Sequence, residues 1–293
     1  MINFNEGKEV LNKYLGSEKK TTIIYNGELY MLKFPDPIRA KNNPLSYMNN
    51  QYSEYIGSSI FKACGFNAQE TELGIYTDKK GTQKVVVGCK DFTQDGAELY
   101  EFSKIGNSIY EIDEKMKLSI ESVQLIIESS DLIRNKAEIM SKFWGMFVID
   151  ALLGNGDRHF DNWGLLEKDG EITFAPIYDC GSSLGAMLDD DSMMILLSDP
   201  VGFKNKEYNV YSCYSMDDKK IFYHEIFRNP VRELRNAIKR TVPEINMDKI
   251  HKIVSSTEGM TTTRKEYLIK ALEIRYEQIL VPSLKRIVKQ ENS

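Results

Sequence analysis

One short run holds most of the chemically distinctive residues of this chain: Gly154-Asn155-Gly156-Asp157-Arg158-His159-Phe160-Asp161-Asn162. An apolar segment with helical spacing, Asn135 to Leu153, precedes this run, and Gly154 is predicted to end that helix. A short hairpin is predicted between Trp163 and Ile177, and Asp179-Cys180-Gly181 begins seventeen residues after Asn162. The sequence therefore places two acidic loops on either side of one hairpin, directly after a helix that we expect to be buried.

This order of residues suits phosphoryl transfer in a kinase-like lobe. Asp157 would accept the proton of a substrate hydroxyl, and Asn162 and Asp179 would offer hard oxygen ligands to Mg²⁺. The alternative is a polar loop followed by an ordinary Asp-Gly turn. An Arg-His pair between the Asp and the Asn is much rarer than such a turn, so we favour the kinase-like interpretation.

A second group of candidates lies nearer the N-terminus. Asn26-Gly27 separates two β-branched and aromatic runs, which predicts a hairpin with a type I′ turn. Alternation along its second strand puts Lys33 on a mostly apolar face, where it either snorkels to the sheet edge or clamps a phosphate. A helix is predicted over about Asn49 to Cys64, and Glu54 on it is the candidate acidic partner of Lys33. A solvated helix position is the alternative for Glu54.

The order of predicted elements indicates an α+β protein with two lobes. Strands dominate the first ninety or so residues, with a second pair at Glu72 to Tyr76 and Lys84 to Cys89, and helices dominate after about Asp95. We expect a small β-rich N-lobe at residues 1–94, a larger and mainly helical C-lobe at residues 95–293, and a cleft between them. Asp189-Asp190-Asp191 is predicted to be a solvated loop.

Composition excludes several classes of protein. The chain has 293 residues, of which 42% are apolar and 28% charged, enough for a sizeable core. A net charge of −5 argues against direct nucleic-acid binding, and no run approaches the ~18 apolar residues that span a membrane. Four widely spaced cysteines and no signal peptide predict buried thiols in the cytoplasm, with secretion as an effector left open. The three dispersed histidines speak against a zinc site.

Together these motifs resemble the HipA-like serine/threonine kinases, which are distantly similar to the phosphoinositide 3/4-kinases. The resemblance covers about Leu15 to Gly185, including the lysine strand Met31 to Pro35 and the helix motif Ser53-Glu54-Tyr55. The lysine strand starts at about residue 28, so we expect the extra N-terminal subdomain of full-length HipA proteins to be absent. The chain is more similar to the short members, including the Helicobacter proinflammatory kinase type.

The resemblance implies ATP and Mg²⁺ as cofactors and assigns roles to individual residues. It places Asp157 as the catalytic base, His159 in the same catalytic segment, and Asn162 and Asp179 as metal ligands. It makes Lys33, held by Glu54, the phosphate lysine. The strand Val85 to Phe92 would enter the hinge, and its main chain around Cys89, Lys90 and Asp91 would bond the adenine edge. Apart from the resemblance, the position of Gly16 and Ser17 just before the first predicted strand suits a turn that covers the phosphates.

The expected acceptor is a hydroxyl group on a protein substrate, and an antitoxin-type partner is left open. One alternative is a kinase for a lipid or small molecule. The segment Ser182 to Pro200 argues against it, since it has four acids and no Lys or Arg to hold an anionic headgroup. The other alternative is a pseudokinase binding module, against which the intact Lys33, Asp157, Asn162 and Asp179 argue.

Overall fold

The computed structural model describes residues 1–11, 20–35, 48–94, 96–109 and 116–292. Its N-terminal part consists of one sheet and one helix. In chain order the elements are β1 (Ile2–Asn3), β2 (Lys8–Val10), β3 (Lys20–Tyr25), β4 (Glu28–Lys33), α1 (Asn50–Ala63), β5 (Thr71–Thr77) and β6 (Gln83–Lys90). The sheet has the strand order β1-β5-β6-β4-β3-β2, with β1 parallel to β5 and every other pair antiparallel.

The predicted hairpin is confirmed. Asn26 and Gly27, between β3 and β4, have φ angles of 50° and 81°, the positive values that a type I′ turn needs. Glycine has a different role in β5 and β6, where Gly74 and Gly88 lie under the buried ring of Phe4. A Cβ atom at either glycine would come within 2.4 Å of that ring. The N-terminal residues thus pack on the sheet, in a contact that the sequence did not predict.

The rest of the chain is mainly helical and carries two small sheets. In chain order the elements are β7 (Glu98–Glu101), α2 (Phe102–Asn107), α3 (Ile120–Ser129), α4 (Lys136–Leu153), β8 (Gly164–Lys168), β9 (Glu171–Phe174), α5 (Asp190–Ser198), α6 (Pro200–Tyr208), β10 (Tyr211–Met216), β11 (Lys219–Phe222), α7 (Tyr223–Arg228), α8 (Arg232–Thr241), α9 (Met247–Ser256), α10 (Thr262–Arg275) and α11 (Val281–Glu291). Strands β7, β8 and β9 form one antiparallel sheet, and β10 pairs with β11. A π-helical stretch, Tyr276–Leu280, joins α10 to α11, so Pro282 does not break the last helix.

The prediction that Asp189-Asp190-Asp191 is a solvated loop is wrong, because these residues begin a helix. Asp189 is the N-cap of α5, and its carboxylate accepts a hydrogen bond of 2.8 Å from the main-chain N–H of Ser192. Asp190 and Asp191 occupy the first turn, where negative charge is favoured by the helix dipole.

Helix α4 is the centre of the main hydrophobic core, and its late part is buried as predicted. The same core includes Ile56, Ile60 and Phe61 from α1, so the helix that follows the lysine strand is anchored in the C-terminal half of the chain. The division between residues 94 and 95 stays a prediction. None of the helices in the described ranges combines the length and hydropathy needed to cross a membrane.

Candidate active site

Lys33 lies between two carboxylates contributed by distant parts of the chain. Its Nζ is 2.7 Å from Glu54 Oε2 on α1 and 2.8 Å from Asp179 Oδ1, in the loop after β9. Lys33 and Glu54 are 3% and 0% exposed, whereas the side chain of Asp179 is 33% exposed. Burial raises the pKa of Asp179, but the charge and hydrogen bond of Lys33, together with the charges of Lys20 and Arg158, outweigh burial and hold the pKa below its ordinary value.

Glu54 also fixes the loop that carries Asp179. Its second oxygen, Oε1, accepts a hydrogen bond of 3.1 Å from the main-chain N–H of Cys180. The close approach of α1 to this loop requires Gly57, because a Cβ atom there would lie 2.6 Å from the Cβ of Cys180. Asp179 itself has a φ of 57°, an uncommon backbone conformation that Asp tolerates better than most residues.

Asp157 and Asn162 belong to one hydrogen-bonded loop after α4. The Asn162 side-chain amide donates to the main-chain oxygen of Asp157 at 2.7 Å, and the Asp157 N–H donates to Asn155 Oδ1 at 3.1 Å. The Asp157 carboxylate is partly exposed and accepts a hydrogen bond of 2.9 Å from the hydroxyl of Ser182. A serine hydroxyl therefore already lies on the predicted catalytic base.

Arg158 connects the two acidic loops through hydrogen bonds to their main chains. It is 1% exposed, and its Nε and Nη2 lie 3.0 and 3.1 Å from the Asp150 carboxylate on α4. Its Nη1 donates to the main-chain oxygens of Asn162, Tyr178 and Asp179. Burial lowers the pKa of Arg158, but Asp150 more than reverses that effect and keeps the guanidinium charged.

His159 lies at the edge of the site and does not hydrogen-bond to Asp157. Its Nδ1 lies 3.2 Å from the Asp161 main-chain nitrogen and 3.4 Å from Asp161 Oδ2. Nε2 is 3.9 Å from Asp157 Oδ1, a distance that permits charge interaction but no hydrogen bond. Its catalytic role stays a prediction.

The three residues predicted to bond the adenine edge lie at the end of β6. Cys89 and Lys90 are its last two residues, and Asp91 follows it. Cys89 is buried opposite Met31, and the main-chain N–H groups of Lys90 and Asp91 donate to the oxygens of Glu70 and Leu29, at 2.8 Å each. The carbonyl oxygens of Lys90 and Asp91 accept from the side chains of Gln69 and Gln94. Both N–H groups are therefore used within the protein. The predicted main-chain hydrogen bonds to adenine from Lys90 and Asp91 could then be made only by their carbonyl oxygens, each of which has a second lone pair. Gly16 and Ser17 lie outside the described residues.

Three residues of the site were missed or left without a role. From the sequence, Ser182 is only part of a longer segment, Arg158 is only a rare neighbour of His159, and Asp150 has no assigned role. Asp150 did carry a signal, because it is a lone acid within the apolar late part of α4. A buried acid in such a helix needs a partner, and the nearest cation downstream is Arg158.

The donor set suits Mg²⁺ better than a transition metal. No group of three or more His, Cys, Asp or Glu side chains that could hold a metal occurs in the ranges described. One amide and one carboxylate, Asn162 and Asp179, is the small oxygen set that Mg²⁺ accepts when phosphates and water complete its shell. Asp179 is also ionised by its neighbour Lys33, as a metal ligand needs to be.

Comparison with known proteins gives concordant results. A family model described as the HipA-like C-terminal domain matches residues 14–248. The serine/threonine-protein kinase CtkA of Helicobacter pylori is 37% identical over 267 residues, which are 89% of this chain and 80% of the relative. The crystal structure of the H. pylori proinflammatory kinase CtkA superposes with a TM-score of 0.89 at 34% identity, covering 99% of this chain and 98% of that one.

A more distant structure has the same fold. Shewanella oneidensis HipA, solved with HipB and operator DNA, matches at a TM-score of 0.57 and 12% identity, covering 96% of this chain and 67% of that one. At this identity the likeness concerns the fold alone. The predicted α+β kinase-like fold and the predicted HipA-like serine/threonine kinase are confirmed by the nearer matches. On the strength of the family model and the 37% identity, this chain belongs to the family of HipA-like C-terminal domains.

Proposed function

We propose that this protein transfers the γ-phosphoryl group of ATP to a serine or threonine hydroxyl of a protein, at the site formed by Lys33, Asp157, Asn162 and Asp179. The observation that carries the proposal is the meeting of Lys33 with Glu54 and Asp179, 21 and 146 residues away in sequence. A buried lysine held by one acid and facing a second, partly exposed acid is an arrangement suited to binding phosphates. Phosphoryl transfer depends mainly on such positioning of charges.

Lys33 and Asp179 have complementary tasks at the nucleotide. Lys33 brings a positive charge that Glu54 orients and that the surrounding core shields from water. Asp179 and Asn162 would hold Mg²⁺, which supplies charge neutralisation to the phosphates when it is bound. Arg158 keeps these two ligands at a fixed separation, because one guanidinium binds the main chain of both loops.

Asp157 has the geometry of a general base. Its carboxylate accepts a hydrogen bond of 2.9 Å from the hydroxyl of Ser182, so it can accept one from a substrate hydroxyl in the same way. In the proposed step the substrate oxygen bonds to the γ-phosphorus and the bond from that phosphorus to the β–γ bridging oxygen breaks. The hydroxyl proton passes to Asp157, and ADP leaves.

The test is phosphate transfer from labelled ATP to a protein acceptor by three variants. Asp157→Asn should lower the rate by about 10²–10⁴-fold while nucleotide affinity stays within a few-fold, because only the proton acceptor is lost. Asp179→Asn should weaken metal-dependent nucleotide binding as well as the rate. Asp169→Asn is the matched control, since that exposed acid lies in the β8–β9 turn. The proposal fails if the first variant keeps its rate, or if wild-type transfer is unaffected by removing Mg²⁺.

An antitoxin-type partner stays a prediction for this chain. HipB and operator DNA accompany the Shewanella protein, with which this chain shares 12% identity. The net charge of −5 favours a protein partner over direct contact with nucleic acid.

A further inference from the structure

Three arginines surround a small cavity outside the site described above. The cavity has a volume of about 140 Å³ and lies where the end of α7, the start of α8 and the side of α11 meet. Arg228, Arg235 and Arg286 line it, one from each helix, and no Asp or Glu is among the lining residues. None of the residues assigned to phosphoryl transfer contributes to it.

These arginines differ from the buried ones in forming no ion pair with the acids that the structure describes. Arg158, Arg264 and Arg275 each form an ion pair with Asp150, Asp190 and Glu207, respectively. Within the described ranges no carboxylate lies within ion-pair distance of Arg228, Arg235 or Arg286. Three like charges gathered around one cavity repel each other, and an anion placed between them removes that repulsion.

The cavity wall is held in place by the packing of α11 against α7. The fully buried hydroxyl of Ser283 and the Nη2 of Arg286 both donate to the main-chain oxygen of Phe227. That bond, at 3.2 Å, orients the Arg286 guanidinium while using only one of its five N–H groups. The N-cap residue of α8, Val231, has no side chain that can accept a hydrogen bond, and the exposed acid in the first turn of that helix, Glu233, is not among the lining residues.

We propose that this arginine pocket binds the phosphate dianion of a phosphoserine or phosphothreonine side chain on a protein. Guanidinium groups match the oxygens of a phosphate with paired hydrogen bonds, and clusters of arginine are a recurring means of recognising phosphorylated peptides. A cavity of about 140 Å³ is of the size that one such group needs. The choice of a phosphoprotein as the source rests on the proposed function, because a serine/threonine kinase meets this group on its own products.

The test is direct binding in the absence of ATP, measured by the fluorescence anisotropy of a labelled pentapeptide, Gly-Ala-phosphoserine-Ala-Gly. The peptide with unmodified serine is the first control. We expect the phosphopeptide to bind at least tenfold more tightly, and the difference to shrink as salt concentration rises. Arg235→Gln and Arg286→Gln should each weaken phosphopeptide binding by about tenfold or more, since each removes a charge-assisted contact.

Arg232→Gln is the matched control, because it removes the same charge from the exposed side of the same helix without touching the lining. It should bind within twofold of the wild type. Arg235→Gln should also keep the wild-type rate of phosphate transfer to an unphosphorylated acceptor and the wild-type melting temperature. Because binding is measured without ATP, a failure of the kinase proposal in its own assay leaves this result readable.

Several outcomes would overturn the proposal. These are equal binding of both peptides, wild-type affinity in the Arg235 and Arg286 variants, or an equal loss in the Arg232 variant. Competition by inorganic phosphate at the same concentration as the phosphopeptide would show a simple ion site. Capture by vesicles containing a phosphorylated phosphatidylinositol, without peptide binding, would assign the pocket to a membrane lipid.

Discussion

Replacing Arg158 by methionine should both destabilise the protein and disorganise its active site. The side chain is 1% exposed and makes two hydrogen bonds to the Asp150 carboxylate, with three more to the carbonyls of Asn162, Tyr178 and Asp179. Breaking a buried ion pair by removing one partner costs about 3–5 kcal/mol, because the other charge is left unpaired. Domains of this kind have only about 5–15 kcal/mol of stability in all, so the variant should unfold at a much lower urea concentration.

Two further variants separate the stability effect from the effect on the site. Arg158→Lys keeps the charge beside Asp150 but loses the planar fork, so it should recover part of the stability and little of the activity. The double variant Asp150→Leu with Arg158→Met removes both charges and should cost less than the sum of the single changes. It should nevertheless stay inactive, since nothing then holds the two loops together.

Urea denaturation followed by tryptophan fluorescence gives the free energy of unfolding, and phosphate transfer from labelled ATP gives the activity. The reasoning is refuted if Arg158→Met unfolds within about 1 kcal/mol of the wild type, a loss typical of an exposed ion pair. It is equally refuted if the double variant regains wild-type activity, because the loops would then not need the guanidinium.

Three other predictions concern single contacts. Glu54→Gln should lower turnover and cost about 3 kcal/mol in urea unfolding, because its ion pair is fully buried; an unchanged unfolding midpoint would contradict this. Ser182→Ala should lower the KM for the acceptor roughly two- to tenfold at unchanged KM for ATP, because its hydroxyl occupies Asp157; a raised KM would show that Ser182 orients the carboxylate instead. Burial raises the pKa of Glu207, but the charges of Arg275 and Lys206 and the hydrogen bonds from Lys206 and Tyr267 together outweigh burial and hold the pKa at about 2, against an ordinary value of 4.5. The lowered pKa contributes ~3 kcal/mol of stability, which is present above pH 4.5 and is lost as the pH falls towards 2. The urea unfolding midpoints of the wild type and Glu207→Gln should therefore converge as the pH falls. A difference that stays constant with pH would refute this.

Features encoded by neighbouring residues could be predicted from the sequence. The Asn26-Gly27 hairpin followed from a turn that needs positive φ, and α4 followed from its apolar run and its terminal glycine. The hairpin of β10 and β11 was missed because its turn is Asp217-Asp218, at φ angles of 49° and 59°. Aspartate adopts that conformation less readily than glycine or asparagine, so Asp-Asp is a weaker hairpin signal than Asn-Gly.

The candidate site divides in the same way. Asp157, Asn162 and Asp179 could be proposed from their spacing, since one hairpin links them. The direct contact of Lys33 with Asp179 spans 146 residues, and only the packing of α1 against the second loop creates it. Arg158 has its partner eight residues upstream on the inner side of a helix, where sequence alone does not show which residues meet.

The anchoring of α1 in the main core limits how this enzyme can be switched off. In a two-lobed kinase, an inactive state arises when the helix that bears the acidic partner tilts outward and releases the lysine. Here Ile56, Ile60 and Phe61 hold that helix in the same core as α4, and Gly57 packs it directly against Cys180. An outward tilt would expose buried side chains at about 1.5–3 kcal/mol each, more than a regulatory contact usually supplies. Control of such an enzyme therefore has to act on access of nucleotide or substrate, while the lysine and its acid remain assembled.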